Sequence, residues 1–378
     1  MANLTFCTTT VLDHGAISQL AAALQANGIK RPLICTDKGI VAAGILDKVR
    51  GAIPNDIQPT IYDGTPANPT ENAVLEAAEI YKAEGCDGIV SVGGGSSIDL
   101  GKAVALNVTH EGDLLGYTAG MGGVAKIGAV APLIAVPTTS GTGSEVSSGS
   151  VVVMNNGEKL ILASKNLVPR MAICDPQLTI GLPPMLTAAT GMDAMAHCIE
   201  AVCSPQVNPP AEAVGLDGIR RGLGQGFLEA AVADGKNEEA RWNMMLASTE
   251  GAMAFTKGLG AVHSMSHACG SVKELGLHHG TLNAVVMPTV LRYNHDRIGE
   301  ALPRIREAMG LKQTADVAEE IEALNQRLGL PKNLSEMGVT EDRIDYLSAH
   351  AARDVCTFTN PKPASAEEYA GMFRDAMA

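Results

Sequence analysis

Aromatic residues are scarce in this sequence: Phe, Tyr and Trp together make up 3% of its 378 residues. Small and flexible residues are common instead, among them 41 glycines and 16 methionines. We therefore expect a core in which such side chains pack closely. Hydrophobic residues still account for 46% of the chain, which is enough apolar surface to fold and excludes a largely disordered protein.

Basic residues are also in deficit, because 28 Lys and Arg stand against 41 Asp and Glu, for a formal charge of −13. A surface of that sign repels the phosphates of nucleic acids and anionic lipid headgroups. We therefore expect no nucleic-acid partner and no membrane partner. An anionic ligand must be held by backbone N–H groups or by a few well-placed cations.

The sequence contains no long hydrophobic run. The longest nearly apolar stretch, Ile127 to Pro137, is about half of the roughly 20 residues that a membrane-spanning helix needs. The first residues, MANLTFCTTT, lack the basic start and apolar segment of a signal peptide. The 8 cysteines include no Cys-x-x-Cys pair, which argues against a disulfide framework or a four-thiolate zinc site. We expect a cytoplasmic protein.

The chain is longer than the roughly 250–300 residues at which a single hydrophobic core stops growing. In the first half, buried-strand runs such as DGIVSV (87–92) and APLIAVP (131–137) alternate with helical stretches, which predicts βαβ units. Beyond a Pro- and Gly-containing connector only helical patterns follow. We predict a Rossmann-like α/β domain with a mostly parallel sheet over 1–180 and an all-helical domain over 181–378.

The helical patterns of the second domain lie at about 185–202, 209–230, 237–256, 260–274, 281–294, 313–329, 340–350 and 365–377.

The segment GMDAMAHCIE places Asp193 and His197 four residues apart in a helical pattern, so both side chains leave the same face. An isolated pair of this kind is more often a simple hydrogen bond. The segment GLGAVHSMSHACG, however, places His263 and His267 four apart on another helix. Clustered imidazoles on apolar helical faces need partners, and one divalent metal ion satisfies several of them together.

One carboxylate and three imidazoles suit a tetrahedral or slightly expanded ion with a position left for a substrate oxygen. The third imidazole comes from the segment LHHG, as His278 or His279, and His279 is preferred because Gly280 follows it. The candidate ligands are thus Asp193, His197, His263 and His279. Spacing alone leaves His267 as a fifth ligand, a core histidine or a proton carrier.

Two glycine-rich loops predict a phosphate-binding site. VGGGSS (92–97) follows a buried strand and opens a helix, so its backbone N–H groups can hold a pyrophosphate, although a purely structural turn is also possible. PTTSGTGSE (137–145) follows the next buried strand. Asp37 ends an earlier strand, where it either accepts hydrogen bonds from an adenosine ribose, favouring NAD over NADP, or caps the next helix.

These segments resemble the iron-containing (group III) alcohol dehydrogenases over essentially the whole chain. The resemblance rests on GGGSSID, PTTSGTGSE, GMDAMAHCIE and GAVHSMSHACG…LHHG. It implies Asp193, His197, His263 and His279 as the metal ligands and associates His267 with proton transfer. It also implies that a set of residues in the first domain contacts the cofactor, namely Asp37, Asn68, Gly94, Gly95, Ser96, Asp99, Thr138, Thr139, Thr142, Ser144 and Lys159.

The family likeness implies reversible, metal-assisted hydride transfer between a small primary alcohol and NAD, with Fe²⁺ as the metal, although the ligand set suits Zn²⁺ as well. RPLICTDKGIVAAG and MGVTEDRID resemble the 4-hydroxybutyrate dehydrogenases in particular. A carboxylate-bearing substrate needs a cation near the metal, for which Lys257, Lys273 and His278 are the candidates.

The sequence leaves two other functions open. One is a glycerol-dehydrogenase-like or other polyol or aldehyde reductase on the same scaffold, and the other is a non-catalytic NAD sensor. The likeness also implies a homodimer or larger homo-oligomer, which an edge strand near the N-terminus could join.

Overall fold

The computed structural model describes residues 8–378, apart from the side chain of Lys273. The chain divides into two compact units. The α/β unit contains the described residues up to Thr139 together with Gly143–Gly181, and the helical unit contains Ser140–Thr142 together with Leu182–Ala378. The sequence pattern does not predict that the loop residues Ser140–Thr142 belong to the helical unit.

The strands of the α/β unit are β1 (Thr9–Leu12), β2 (Pro32–Cys35), β3 (Thr60–Tyr62), β4 (Gly88–Gly93), β5 (Leu133–Pro137), β6 (Gly149–Val153), β7 (Lys159–Ala163) and β8 (Met171–Cys174). Its helices are α1 (Leu20–Ala26), α2 (Lys38–Ala42), α3 (Ile45–Gly51), α4 (Glu71–Ala83) and α5 (Gly95–Asn107). Six strands form a parallel sheet in the order β1-β8-β5-β4-β2-β3, and β6 pairs with β7 in an antiparallel ribbon. The predicted fold class is confirmed.

The middle of the sheet is apolar on both faces, as parallel sheets covered by helices are. Every residue of β4 and of β5 is buried, with Val90 paired to Ile134 in register. The chain leaves β2 towards β3 on one side, while β4 lies on the other side of β2. Such a reversal of strand order opens a crevice at the carboxyl ends of β2 and β4, where α/β proteins bind ligands.

The helices of the other unit are α6 (Pro184–Cys203), α7 (Pro209–Ile219), α8 (Phe227–Ala233), α9 (Glu238–Ala254), α10 (Ala261–Gly270), α11 (His279–Asn294), α12 (Ala301–Ala308), α13 (Val317–Arg327), α14 (Ile344–Arg353) and α15 (Ala366–Met377). The single helix predicted over 209–230 is wrong: a π-helical turn at Arg220–Gly224 and Gly226, with φ 74°, separate α7 from α8. Among the described helices, none has the length and apolar character needed to cross a membrane.

Helix α6 is central to this unit, and all of its residues from Thr187 to Val202 are buried. Small residues let its neighbours come close. A Cβ atom on Gly280 of α11 would lie 2.2 Å from the carbonyl oxygen of Ala189, so α11 meets α6 in backbone contact at this point. The first turn of α11 is therefore held against the middle of α6.

Candidate active site

Asp193 and His197 lie one turn apart on α6, and both are buried. The Oδ1 atom of Asp193 is 3.8 Å from the Nε2 atom of His197. It is also 4.0 Å from Nε2 of His263 on α10 and 3.5 Å from Nε2 of His279 at the start of α11. One carboxylate oxygen thus has three imidazole nitrogens from three helices around it, and the ligand atoms of Asp193, His197 and His263 lie within 4.8 Å of one another. That these four side chains bind a metal stays a prediction.

These distances fit a divalent metal ion. Ligand atoms at 2.0–2.2 Å from a tetrahedral ion lie roughly 3.3–3.6 Å from each other. The distance from the Asp193 oxygen to His279 falls in this range, and its distances to His197 and His263 are slightly longer. The rings of His197 and His263 are stacked with centroids 4.7 Å apart. Burial lowers the pKa of His197 to about 4, so this ring is neutral near pH 7 and its nitrogen lone pair is available to a metal.

Hydrogen bonds fix the orientation of two of the imidazoles. Nδ1 of His263 is 2.6 Å from Oε2 of Glu200, and Oε1 of the same carboxylate accepts a bond of 2.7 Å from the backbone N–H of Val262. Nδ1 of His279 is 2.8 Å from the hydroxyl of Ser266. Because Nδ1 is engaged in both rings, Nε2 is the atom directed at Asp193, as in many metal sites.

His267 lies one turn after His263 and is held by a different carboxylate. Its Nδ1 atom is 2.9 Å from Oδ2 of Asp354, and its ring stacks on that of His279 with centroids 5.4 Å apart. Burial raises the pKa of Asp354, but the adjacent His267 outweighs burial and holds that pKa well below its ordinary value. The side chain of His267 is 24% exposed, so this imidazole combines a fixed orientation with access to solvent.

The three candidates for holding a substrate carboxylate fare differently. The prediction that Lys257 holds the substrate carboxylate is wrong, because this side chain is buried and already paired within the protein. Its ammonium group lies 2.8 Å from Oε2 of Glu212 and donates to the carbonyl oxygen of Val202. His278 is exposed at the N-cap of α11 and stays a prediction. The side chain of Lys273 lies outside the described residues.

The predicted cofactor residues of the α/β unit cluster around the crevice. Asp37 follows β2 and caps α2 by accepting a hydrogen bond of 3.0 Å from the N–H of Ile40, the second of the two roles predicted for it. Gly94 and Gly95 follow β4 and open α5. Thr138 follows β5 and donates its N–H to the carbonyl oxygen of Gly93, which ties the two loops together.

Other predicted residues join this group through hydrogen bonds. The hydroxyl of Ser96 donates to the carbonyl oxygen of Ala67 at 2.5 Å, which brings the next residue, Asn68, near the glycine-rich turn. The ammonium group of Lys159 donates to Oδ1 of Asn68 at 2.9 Å. The side chain of Thr139 lies 3.4 Å from the position that a Cβ on Gly94 would occupy.

Asp99 and Ser144 form a hydrogen bond with each other. The hydroxyl of Ser144 donates to Oδ1 of Asp99 at 2.5 Å, and the N–H of Val151 donates to Oδ2 at 2.9 Å. Their direct contact with a cofactor stays a prediction. Thr142 belongs to the helical unit, where its neighbour Gly141 packs so closely on Thr190 that a Cβ would lie 2.7 Å from that backbone oxygen.

Sequence reasoning missed the residues that orient the ligands. Glu200 lies seven residues after Asp193 and Ser266 three residues after His263, so helical periodicity places each on the face of a ligand and could have revealed them. Asp354 is 87 positions away from His267, and no local pattern links the two.

Comparison with known proteins identifies the family. The sequence profile described as iron-containing alcohol dehydrogenase matches residues 7–176, and the C-terminal profile of the Fe-containing alcohol dehydrogenase family matches residues 187–377. The chain belongs to the iron-containing alcohol dehydrogenase family. The resemblance inferred from the motifs is thus confirmed, and so is the expectation that the protein is an enzyme.

Individual relatives of this iron-containing alcohol dehydrogenase match over all or nearly all of their length. The 4-hydroxybutyrate dehydrogenase of Cupriavidus necator is 51% identical, with 100% of each chain covered. A crystal structure of 1,3-propanediol oxidoreductase superposes with a TM-score of 0.93 at 36% identity, covering 100% of both chains. The sulfoacetaldehyde reductase of Bifidobacterium kashiwanohense, solved in complex with NAD⁺, gives 0.89 at 28% identity, covering 100% of this chain and 99% of that one.

Proposed function

We propose that this alcohol dehydrogenase interconverts 4-hydroxybutyrate and succinic semialdehyde, with NAD as the redox cofactor. The relative that is 51% identical over the full length supports this substrate pair, and the NAD⁺-bound structural relative supports the cofactor. The observation that carries the proposal is the convergence of three imidazole nitrogens on one oxygen of Asp193.

Asp193, His197, His263 and His279 would hold the metal. The family favours Fe²⁺, and an O/N₃ donor set suits Zn²⁺ as well. When bound, a divalent ion supplies Lewis acidity that lowers the pKa of an alcohol, and NAD supplies the hydride acceptor.

The side chains of the helical unit have three tasks in the proposed reaction. Glu200 and Ser266 keep the ligand imidazoles in the orientation and tautomer that leave Nε2 unprotonated. Burial of Asp193, His197 and His263 excludes water from the ligand atoms. His267, held at Nδ1 by Asp354, keeps its Nε2 available to accept the alcohol proton and release it to solvent.

In the α/β unit, Gly94, Gly95 and Ser96 at the start of α5 would hold the cofactor pyrophosphate, since backbone N–H groups and the helix N-terminus favour anions. Asp37 would meet the adenosine ribose and disfavour NADP. The remaining residues proposed for cofactor contact are Asn68, Asp99, Thr138, Thr139, Thr142, Ser144 and Lys159. The α/β unit is thus proposed as the dinucleotide-binding domain.

The decisive experiment is anaerobic purification with metal analysis, followed by NADH formation measured at 340 nm with 4-hydroxybutyrate, 1,3-propanediol, glycerol and other C3–C6 alcohols. We expect about one divalent ion per chain and the highest kcat/KM with 4-hydroxybutyrate. A preparation that binds NAD but cannot be loaded with any divalent ion would contradict the proposal.

Substitutions separate the proposed roles. We expect His263→Ala to lose both bound metal and NADH formation, because a ligand is removed, and His267→Ala to keep its metal with a milder loss of kcat. His295→Ala changes an exposed histidine after α11 and is the control. Full activity in His263→Ala, or a metal-free His267→Ala, would overturn the assignment of that residue.

We also propose a cytoplasmic homodimer. The cysteines of the described region are free thiols, which suits a reducing compartment. In the sheet order, β1 is an edge strand that pairs with β8 on one side, so its other edge offers backbone groups to a second copy. Light scattering of the purified protein tests the dimer.

A further inference from the structure

Asn283 is a fully buried residue on α11, one turn after His279, and its side-chain amide lies among the proposed metal ligands. The Nδ2 atom donates a hydrogen bond of 2.7 Å to Oδ1 of Asp193. The same nitrogen is 3.3 Å from Nε2 of His263 and 3.2 Å from Nε2 of His279. A single amide group therefore touches ligand atoms that originate from α6, α10 and α11.

The chemistry of the contacts fixes the orientation of this amide. If the amide were turned, its oxygen would face the Asp193 oxygen at 2.7 Å, and two acceptors would repel each other. With nitrogen in that place, the opposite atom, Oδ1, is buried without a hydrogen-bond partner. A buried acceptor left unpaired costs free energy, so the arrangement gives up a bond at Oδ1 while Nδ2 engages the ligand cluster.

We propose that Asn283 is a positioning residue of the metal centre, which sets the direction of the Asp193 carboxylate by donating to its Oδ1 atom. The proposal rests on the proposed function, because it assumes that Asp193 is a metal ligand. Carboxylates turn easily about their last torsion, and a fixed donor keeps Oδ1 at the point that the imidazoles face. Asp193 can accept this bond while ligating, since a carboxylate oxygen has more than one lone pair.

The test is a titration with Co²⁺ alone of chelator-treated full-length protein, followed by the visible absorption of bound Co²⁺. We expect Asn283→Ala to weaken Co²⁺ binding about tenfold to a hundredfold, as loss of an outer-sphere partner does. We expect Asn283→Asp to weaken it at least as much, because a carboxylate at 283 cannot donate to Asp193 and repels it.

Two results would overturn the proposal. If Asn283→Asp bound Co²⁺ as tightly as the unaltered protein or more tightly, residue 283 would be acting as a ligand and not as a donor. If both variants bound Co²⁺ normally while their melting temperatures fell, the amide would serve packing alone. Failure of the unaltered protein to bind Co²⁺ at all would refute the proposed function, an outcome distinct from both.

Asn325 provides a matched control in the same unit. It is also buried, its Nδ2 atom donates to the carbonyl oxygen of Ala284 at 2.7 Å, and its Oδ1 atom has no partner. We expect Asn325→Ala and Asn325→Asp to lower the melting temperature while Co²⁺ affinity stays within about twofold of the original. Equal loss of Co²⁺ binding in the Asn325 variants would show a general effect of destabilisation and would also overturn the proposal.

Discussion

At the scale of single residues, the α/β unit contains a buried cation whose role is structural. Lys102 is 0% exposed, and its ammonium group donates to the hydroxyl of Ser144 at 3.0 Å, the carbonyl oxygen of Ser147 at 2.9 Å and that of Gly149 at 2.7 Å. Asp99 accepts from Ser144 and completes the network. Burial raises the pKa of the Asp99 carboxyl, and the nearby charge of Lys102 opposes that rise. The loop that follows β5 is thus anchored to α5.

We predict that Lys102→Met lowers the free energy of unfolding by about 3–5 kcal/mol, because it leaves buried acceptors and a buried carboxylate without their cation. The dissociation constant for NADH, measured by fluorescence, should rise in the same variant, because the loop that follows β5 is no longer held to α5. Adding Asp99→Asn should recover part of the loss in stability. Additive effects in this double-mutant cycle would contradict the coupling of the two residues.

The sequence predicts individual residues well where one helix supplies the pattern. Asp193 with His197 and His263 with His267 follow from spacing of four, whereas their meeting point depends on how α6, α10 and α11 pack. Lys102 could not be predicted as buried, because a lone lysine in a helix is normally a solvated charge. Its acceptors lie more than 40 positions away along the chain.

At the scale of elements, the site depends on the close approach of α11 to α6. Gly280 allows it, since a Cβ there would lie 2.2 Å from the Ala189 oxygen and 3.2 Å from Cβ of Asp193. The distance of 3.5 Å between Asp193 and His279 is a consequence of this contact.

Replacing Gly280 with Ala should push α11 away from α6, lower stability by about 1–3 kcal/mol and weaken metal binding. Urea unfolding and Co²⁺ titration measure the two effects. Gly371→Ala in α15 is the control, because nothing lies within 4 Å of its Cβ position, and it should stabilise the protein by about 0.5–1 kcal/mol. Unchanged metal affinity in Gly280→Ala would contradict this role of the contact.

Helices α7 and α9 place two acidic side chains together, Asp217 and Glu250. Burial, and then the neighbouring Asp217, raise the pKa of Glu250 from 4.5 to about 8. Between about pH 4.5 and pH 8, the Glu250 carboxyl therefore keeps its proton in the folded protein but has lost it in the unfolded chain. The contribution of Glu250 to stability falls as pH rises through this window.

We predict that Glu250→Gln removes this dependence, so that its stability relative to the unaltered protein improves by about 2 kcal/mol between pH 6 and pH 8. Urea unfolding across this range measures the difference. Glu322→Gln, which breaks an exposed ion pair with Arg292, should show no such trend. A difference that stays constant with pH for Glu250→Gln would refute the prediction.

Elements with a strong pattern are predictable from the sequence, and short ones are not. The apolar runs at 87–92 and 131–137 correspond to β4 and β5. The four-residue strand β8 escapes prediction because it is too short to show a period. The eight-residue helix α12 escapes because its apolar face, formed by Leu302, Ile305 and Ala308, spans only about two turns. Pairing with β1 and β5 holds β8 in the sheet.

At the scale of the whole molecule, the proposed metal ligands all belong to the helical unit, whereas the residues proposed for NAD belong to the α/β unit, apart from Thr142. The order of an α/β part followed by a helical part is evident in the sequence. The grouping of Ser140–Thr142 with the helical unit is not, since it depends on the contact of Gly141 with Thr190.

Removal of the metal should therefore separate turnover from cofactor binding. We predict that treatment with a chelator abolishes NADH formation and leaves the dissociation constant for NADH, measured by fluorescence, essentially unchanged. Restored turnover after addition of Fe²⁺ without oxygen is the control. Parallel loss of NADH binding and metal would contradict the assignment of the two functions to separate residues.

The hydrogen bonds that hold the ligand imidazoles also define what a protein designer must copy. Grafting only Asp193, His197, His263 and His279 onto another helical scaffold would leave the rings free to swivel. A transplant that keeps its geometry must include the carboxylate of Glu200, the hydroxyl of Ser266 and the side-chain amide of Asn283 as well. The smallest unit that could be transferred is thus a set of three helix segments, from α6, α10 and α11, that carry both the ligands and the side chains that orient them.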